Sequence, residues 1–285
     1  MLSNKVKEIM TRDVITVEVT DGILDVMEMM VAKKIGRVII TEKQLPVGIF
    51  TEQDVLKRVV NKKLDAKKTS IKKVMTTPIH AVREDASIVE VLGKMYKGKF
   101  RHMLVRGEKK AMVGLVSMRR ILKLVVELEG GHAKSGTIGS IMSSFVTVDA
   151  SQSIYDAIGV MIKKNTGCIV VVSGGGRIGI FTERDVLTRV AVKNIDSRKS
   201  PIKDIMTADP ISMAQSAPIA DVLAEMDKRG FRNMLIRNDR GEFVGIVSMA
   251  DILKYAKALD VDESVRKAWK EIEEYWESED QYTPG

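Results

Sequence analysis

Cysteine is nearly missing from this chain of 285 residues. Cys168 stands alone, which excludes an internal disulfide and a zinc site built on paired cysteines. Histidine is almost as scarce. His80, His102 and His132 come from separate regions and show no metal-ligand spacing. Aromatic residues make up 5%, so cores must rest on Ile, Val, Leu and Met, and no aromatic platform for stacked nucleobases is evident. No apolar run reaches the ~18 residues of a membrane helix. The opening MLSNKVKEIM is broken by charges, unlike a secretory signal. A cytoplasmic protein without a membrane partner is therefore expected. No nucleophile–base set, metal cluster or cofactor fingerprint stands out. SGGGR at Ser173–Arg177 lacks the G-K-[S/T] ending of a phosphate loop and reads as a hairpin turn. The chain is accordingly expected not to be an enzyme, with no catalytic residue, metal ligand or catalytic cofactor.

What is present is a globular composition, 45% hydrophobic and 29% charged, with length for about two domains. The net charge is +8 and uneven. Residues 261–285 hold eight acidic and three basic residues, leaving about +13 on the body. A basic body favours an anionic partner. Nucleic acid is one reading of it, with lysine pairs such as Lys62-Lys63 and Lys67-Lys68, although no recognition motif accompanies them.

The chain repeats itself. VKEIM, IKKVM, IGSIM and IKDIM place Met10, Met75, Met142 and Met206 at spacings of 65, 67 and 64 residues. A second anchor, GIFTEQDVL, GLVSMRRIL, GIFTERDVL and GIVSMADIL, places Gly48, Gly114, Gly179 and Gly245 at spacings of 66, 65 and 66. Two anchors with one period identify four copies of one unit. The first copy resembles the third most, and the second resembles the fourth. GIFTEQDVLKRV and GIFTERDVLTRV differ at two of twelve positions. A pair was duplicated, and the pair reads as the architectural unit. Each copy reads as a short extended piece, an amphipathic helix, two β-rich runs and a second helix. In copy one Ile23, Val26, Met27 and Met30 fall at helical spacing. Asp21, Asp85, Ser151 and Ser216 or Gln215 lie near the first helix starts. The methionines, Met161 among them, read as core, and Cys168 as buried and inert.

The motif that carries chemistry is G-h-h-[S/T]-x-x-D, where h is apolar. It occurs as Gly48…Thr51…Asp54, Gly179…Thr182…Asp185 and Gly245…Ser248…Asp251, where the last strand turns into the last helix. The hydroxyl can cap that helix, and a Thr with an Asp three residues later is a common capping arrangement. The aspartate can also accept hydrogen bonds from both hydroxyls of a ribose, and the glycine would let a ligand approach the backbone. Copy two differs: Arg120 stands at the aspartate position. An arginine accepts no hydrogen bond but suits phosphate.

These anchors, in order and at this spacing over residues 5–258, resemble the CBS domain, the module named after cystathionine β-synthase, and its tandem pair, the Bateman module. The resemblance implies an α/β (α+β) fold of four β-α-β-β-α units packed as two pseudo-twofold modules. Module one would span 1–129 (units 5–62 and 70–127) and module two 138–260 (units 138–194 and 201–258), joined by a linker at 130–137. It implies clefts that hold AMP, ADP or ATP, with S-adenosylmethionine or NAD as alternatives. Asp54, Asp185 and Asp251 would bind ribose, with Thr51, Thr182 and Ser248 beside it. Thr16, Thr147 and Ser212 would flank adenine, and His80 takes that place in copy two. Arg37, Arg101, His102, Arg232 and Asn233, on the middle strand, would face the nucleotide, and Arg120 would reach a neighbouring phosphate or leave its cleft empty. The function so implied is a regulatory adenine-nucleotide sensor, a homodimer through its modules, acting on a partner protein that the sequence does not name. In residues 261–285, Val265, Trp269, Ile272 and Trp276 form one apolar stripe, expected to be a helix packed on the chain's own modules or offered to a partner.

Overall fold

A computed structural model describes residues 5–98, 100–108, 111–128, 136–174 and 178–258. The stripe at Val265–Trp276 lies outside the described residues.

Copy one runs β1 (Thr16–Glu18), α1 (Ile23–Ala32), β2 (Arg37–Glu42), β3 (Leu45–Thr51) and α2 (Glu52–Asp54), which continues as a π-helix over Val55–Val60. Copy two runs β4 (Ala81–Arg83), α3 (Ile88–Gly98), β5 (His102–Arg106), β6 (Met112–Ser117) and α4 (Met118–Leu128). Copy three runs β7 (Thr147–Asp149), α5 (Ile154–Lys163), β8 (Cys168–Val172), β9 (Ile178–Thr182) and α6 (Glu183–Asp185), with a π-helix over Val186–Ala191. In copy four a two-residue β10 (Thr207–Ala208) precedes β11 (Ser212–Ala214), α7 (Ile219–Arg229), β12 (Asn233–Arg237), β13 (Phe243–Ser248) and α8 (Met249–Ala258). The mixed α/β class read from the sequence is the class observed. In each copy the first strand lies parallel to the second across a helical crossover, and the second and third form an antiparallel hairpin. β8 and β9, which flank SGGGR, are such a hairpin.

Sequence explains these elements locally. Val38, Ile39 and Ile40 are β-branched and buried in β2. Ile23, Val26, Met27 and Met30 form the inner face of α1, at most 2% exposed. The helix starts lie slightly beyond the polar residues named above. Ser153 caps α5 by accepting from Asp156 N, and Ser87 accepts from Glu90 N at the start of α3. Gly22 and Pro218 occupy the corresponding positions without a side-chain cap. Asp21 instead accepts from Glu18 N, Asp85 pairs with Arg83, and Ser151 bonds Asp149. Short acceptors satisfy the nearest turn first.

The opening segment of each copy does not pack on its own copy. Thr11 bridges Leu115, and Lys5 bridges Ser87, so residues 5–13 dock on copy two. Thr76 bridges Ile49, and Ser70 bridges Gly22, so the head of copy two docks on copy one. Copies three and four repeat the exchange: Ser143 bridges Ile246, and β10 pairs with β9. The two sequence anchors meet here. A Cβ on Gly48 would lie 2.7 Å from Met75 Sδ and 3.1 Å from Thr76 O, and Gly114 meets Met10 in the same way. Gly245 meets Met142, and Gly179 meets Met206. This corrects the ligand role given to the glycine. It is small because a methionine and a backbone carbonyl of the exchanged segment occupy the space of a side chain.

Two compact units result. One comprises Met1–Asp13, His80–Ser143 and the chain from Ser212; the other comprises Val14–Ile79 and Ser144–Ile211. Compactness therefore joins copy two with four and copy one with three, cutting across the duplication pairs 1–129 and 138–260. In the first unit α4 packs on α7 and α8 around Leu92, Met95, Ile121, Leu223, Met226 and Ile252. In the second the two π-helices pack together around Met27, Met30, Phe50, Ile158, Met161 and Phe181. The methionines Met27, Met30 and Met161 are core, as expected. No helix among the described residues is long and apolar enough to cross a membrane.

Candidate functional site

The hairpin register assembles each candidate site. Arg37 pairs opposite Thr51, His102 opposite Ser117, Cys168 opposite Thr182 and Asn233 opposite Ser248. The first strand adds Thr16 opposite Ile39, Thr147 opposite Val170 and Ser212 opposite Leu235. Thr16 and Thr147 are exposed, while Arg37, Arg101, His102, Ser212, Arg232 and Asn233 are half-buried. The second unit thus holds Thr16, Arg37, Thr51, Asp54, Thr147, Thr182 and Asp185. The first holds Arg101, His102, Arg120, Ser212, Arg232, Asn233, Ser248 and Asp251. His80 stacks on Phe100 with ring centroids 4.2 Å apart.

The motif aspartate is fixed by its own turn. Asp54 Oδ2 accepts from Thr51 N at 2.9 Å and Thr51 Oγ1 at 2.7 Å, while Thr51 Oγ1 accepts from Asp54 N. This is a capping box closed by an aspartate. Asp185 repeats it with Thr182, and Asp251 receives the same two bonds from Ser248. The second carboxylate oxygen distinguishes the copies. Asp54 Oδ1 accepts from Thr76 Oγ1 at 2.9 Å and faces Arg58 Nε at 3.5 Å. Asp185 Oδ1 faces Arg189 Nε at 3.3 Å. Asp251 Oδ1 accepts from Ser143 Oγ at 2.9 Å. A carboxylate has about four acceptor positions. Asp54 and Asp251 each accept three hydrogen bonds among the described residues and Asp185 accepts two, so each keeps acceptor capacity, with Arg58 and Arg189 as ion-pair partners of Asp54 and Asp185. Asp54 and Asp185 are buried. Burial pushes both carboxyls above their ordinary range, against the lowering effect of the hydroxyls and of Arg58 or Arg189.

Copy two reaches the same turn without the carboxylate. Ser117 Oγ still accepts from Arg120 N at 3.4 Å, and Arg120 is exposed. Its neighbour Arg119 donates to the carbonyls of Gly230 and Phe231 at 3.2 and 2.8 Å. Gly230 closes α7 in the left-handed region, φ 72°, where unpaired carbonyls favour a cation. The matching residue of copy three, Arg184, pairs at 3.0 Å with Glu52, a carboxylate only 2% exposed. Cys168 is buried, and desolvation, then Asp185 and Glu183, push its thiol up, which makes it inert at neutral pH.

Sequence reasoning missed Arg58, Arg189, Thr76 and Ser143. Both arginines stand four residues after a motif aspartate, in copies one and three alone. A hydroxyl follows the anchor methionine in every copy, as Thr11, Thr76, Ser143 and Thr207. Those recurrences were the available signal.

The CBS domain model matches the chain four times, over residues 6–61, 71–127, 138–192 and 202–258. The chain belongs to the CBS domain family. Among curated proteins, a CBS domain-containing protein of Arabidopsis thaliana, CBSCBSPB1, is 24% identical over 291 residues, covering 89% of this chain and 54% of its own length. The meiotically up-regulated gene 70 protein of Schizosaccharomyces pombe is 23% identical, covering 82% of this chain and 41% of its own length. The chain thus spans about half the length of the curated relatives it matches. Among solved structures, a Methanocaldococcus jannaschii protein described as a candidate archaeal homolog of g-AMPK aligns with TM-score 0.74 at 18% identity, over 88% of this chain and 99% of that one. A Pyrococcus horikoshii protein aligns over the same shares with TM-score 0.59 at 18% identity. Both likenesses establish the CBS fold.

Proposed function

We propose that this CBS protein is a regulatory sensor of adenine nucleotides, of the AMP, ADP or ATP type, that catalyses no reaction. The observation that carries this reading is the difference between copy two and the others. Copy two makes the strand-to-helix turn with Ser117 alone, and α4 follows normally. The turn therefore does not need an aspartate, yet three copies place one there, and copies one and three bury it and bear its desolvation. A ribose diol offers the donors that such a carboxylate can use. The half-buried Arg101, His102, Arg232 and Asn233 supply donors for phosphate. The name of the Methanocaldococcus jannaschii structure, with its reference to AMPK, agrees with this ligand class. In this reading the duplication pairs 1–129 and 138–260 act as modules, and ligand binding shifts a geometric equilibrium that a partner protein reads. Such coupling requires different affinity for two states. The protein would act in the cytoplasm as a homodimer.

Calorimetry with AMP, ADP, ATP, NAD and S-adenosylmethionine tests the reading, on the wild type and on Asp54→Ala, Asp185→Ala and Asp251→Ala. An adenine nucleotide should bind below the millimolar range, and loss of Asp185 or Asp251 should weaken it about tenfold or more, the cost of charge-assisted hydrogen bonds. Because Thr76 and Arg58 already engage the second oxygen of Asp54, its replacement should matter less than that of Asp185. Absence of binding by all five compounds refutes the function, and undiminished binding by all three variants refutes the site.

A further inference from the structure

The second unit contains a concave site that the ribose motif does not use. A cavity of about 450 Å³ is lined by Arg58, Lys62, Leu64, Lys73 and Val74. Its volume falls within the ~300–1,000 Å³ of small-molecule pockets. Three of its five walls are cationic and none is acidic. Arg58 is held rigidly: Nη1 donates to the carbonyls of Val74 and Met75, and Nε faces Asp54. Its Nη2 has no partner among the described residues and is left to the cavity. Lys62 and Lys73 are exposed, and their ammonium groups make no hydrogen bond or ion pair among the described residues. Asp54 offsets part of the Arg58 charge, which leaves the two lysines as the net attraction. Leu64 and Val74 supply an apolar wall beside them.

Copy three is an internal comparison. The residues 131 positions later are Arg189, Lys193, Ile195, Asp204 and Ile205. The scaffold arginine is kept, and Arg189 donates to Ile205 O. The lysine corresponding to Lys73 has become Asp204, which reverses one of the three charges. The fold thus retains the arginine in both places, while the accumulation of positive charge is particular to the junction of copies one and two.

We infer that this cavity, where the head of copy two docks on copy one, is a second binding site, separate from the ribose aspartates, for a phosphate-bearing small molecule of at least two negative charges, with its phosphate against Lys62, Lys73 and Arg58 and an apolar part against Leu64 and Val74. Clustered ammonium groups around one fixed guanidinium match a multiply charged phosphate. Inorganic pyrophosphate is a suitable probe because it has no ribose, so the result is independent of the nucleotide reading. Calorimetric titration of the full chain at physiological salt should show one saturable site. Lys62→Gln or Lys73→Gln should weaken it roughly tenfold, as expected for one lost charge-assisted bond. Lys73→Asp, which reproduces copy three, should abolish it. Lys193→Gln, the same charge change at the copy-three counterpart of Lys62, should alter affinity less than about twofold, as for a remote screened charge. All four substitutions are at exposed positions, and unchanged circular dichroism verifies folding. Absence of saturable binding, or equal weakening by Lys193→Gln and Lys62→Gln, overturns the site.

Discussion

Replacing Gly48 by alanine tests the contact that joins the two repeat anchors. The new Cβ would lie 2.7 Å from Met75 Sδ, 3.2 Å from Met75 Cγ and 3.1 Å from Thr76 O. The sulfur can move aside by changing rotamer. The carbonyl cannot move freely, because Thr76 O accepts from Ile49 N at 3.0 Å and Thr76 N donates to Ile49 O at 2.8 Å. Relief requires pushing the exchanged segment off the edge of β3 or straining β3 itself. Overpacking of this kind costs about 1–3 kcal/mol, and each kcal/mol lowers Tm by about 2–4 °C in a body of this size. Removing the methionine side chain should recover part of the loss. In a double-mutant cycle Gly48→Ala with Met75→Ala should be less destabilised than the sum of the singles, by ~0.5 kcal/mol or more. Urea denaturation of ligand-free protein supplies the four stabilities. A neutral Gly48→Ala, or strict additivity, would refute the contact and return the glycine to a ligand role.

Acid should act on the buried aspartates in the direction their environment dictates. Burial holds Asp54 and Asp185 above the ordinary 3.8, so the folded chain keeps their protons to higher pH than the unfolded chain. Their contribution to stability is fully present below pH 3.8 and is lost as pH rises through the raised values. Asp185→Asn should flatten that part of a pH series of urea midpoints, and an unchanged profile would contradict the assignment. Arg119→Ala removes the donor to Gly230 O and Phe231 O and should cost about 1–2 kcal/mol in the same assay, whereas the exposed neighbour change Arg120→Ala should be nearly silent.

The repeat was legible because two anchors share one period, and the amphipathic spacing of Ile23, Val26, Met27 and Met30 is a local property. The capping hydroxyls Thr51, Thr182 and Ser248 were legible for the same reason, since cap and partner lie three residues apart. The exchange of opening segments was not legible. Thr11 finds Leu115 and Thr76 finds Ile49 through backbone bonds that any residue type can make, so nothing in VKEIM or IKKVM names its docking site. The role of Gly48 was misread on that account: a small residue indicates that something comes close, but not whether it is a ligand or the chain itself. Arg58 and Arg189 were not singled out, because their carbonyl partners are distant in sequence. Only the folded chain brings Val74, Met75 and Ile205 within their reach.

The exchange also sets an order of events during synthesis. A ribosome that has finished Asp54 has delivered a copy one whose β3 edge has no partner, and the partner arrives only when Thr76 emerges. Residues 5–13, made well before their partner, wait for Leu115. Vectorial synthesis therefore completes the repeats reciprocally, each by a segment that its neighbour carries, and nascent chains halted between residues 62 and 70 should be open to protease at both ends. For this protein the smallest piece that can close its own hydrogen bonds is a pair of repeats, although the cores that later form join alternate ones.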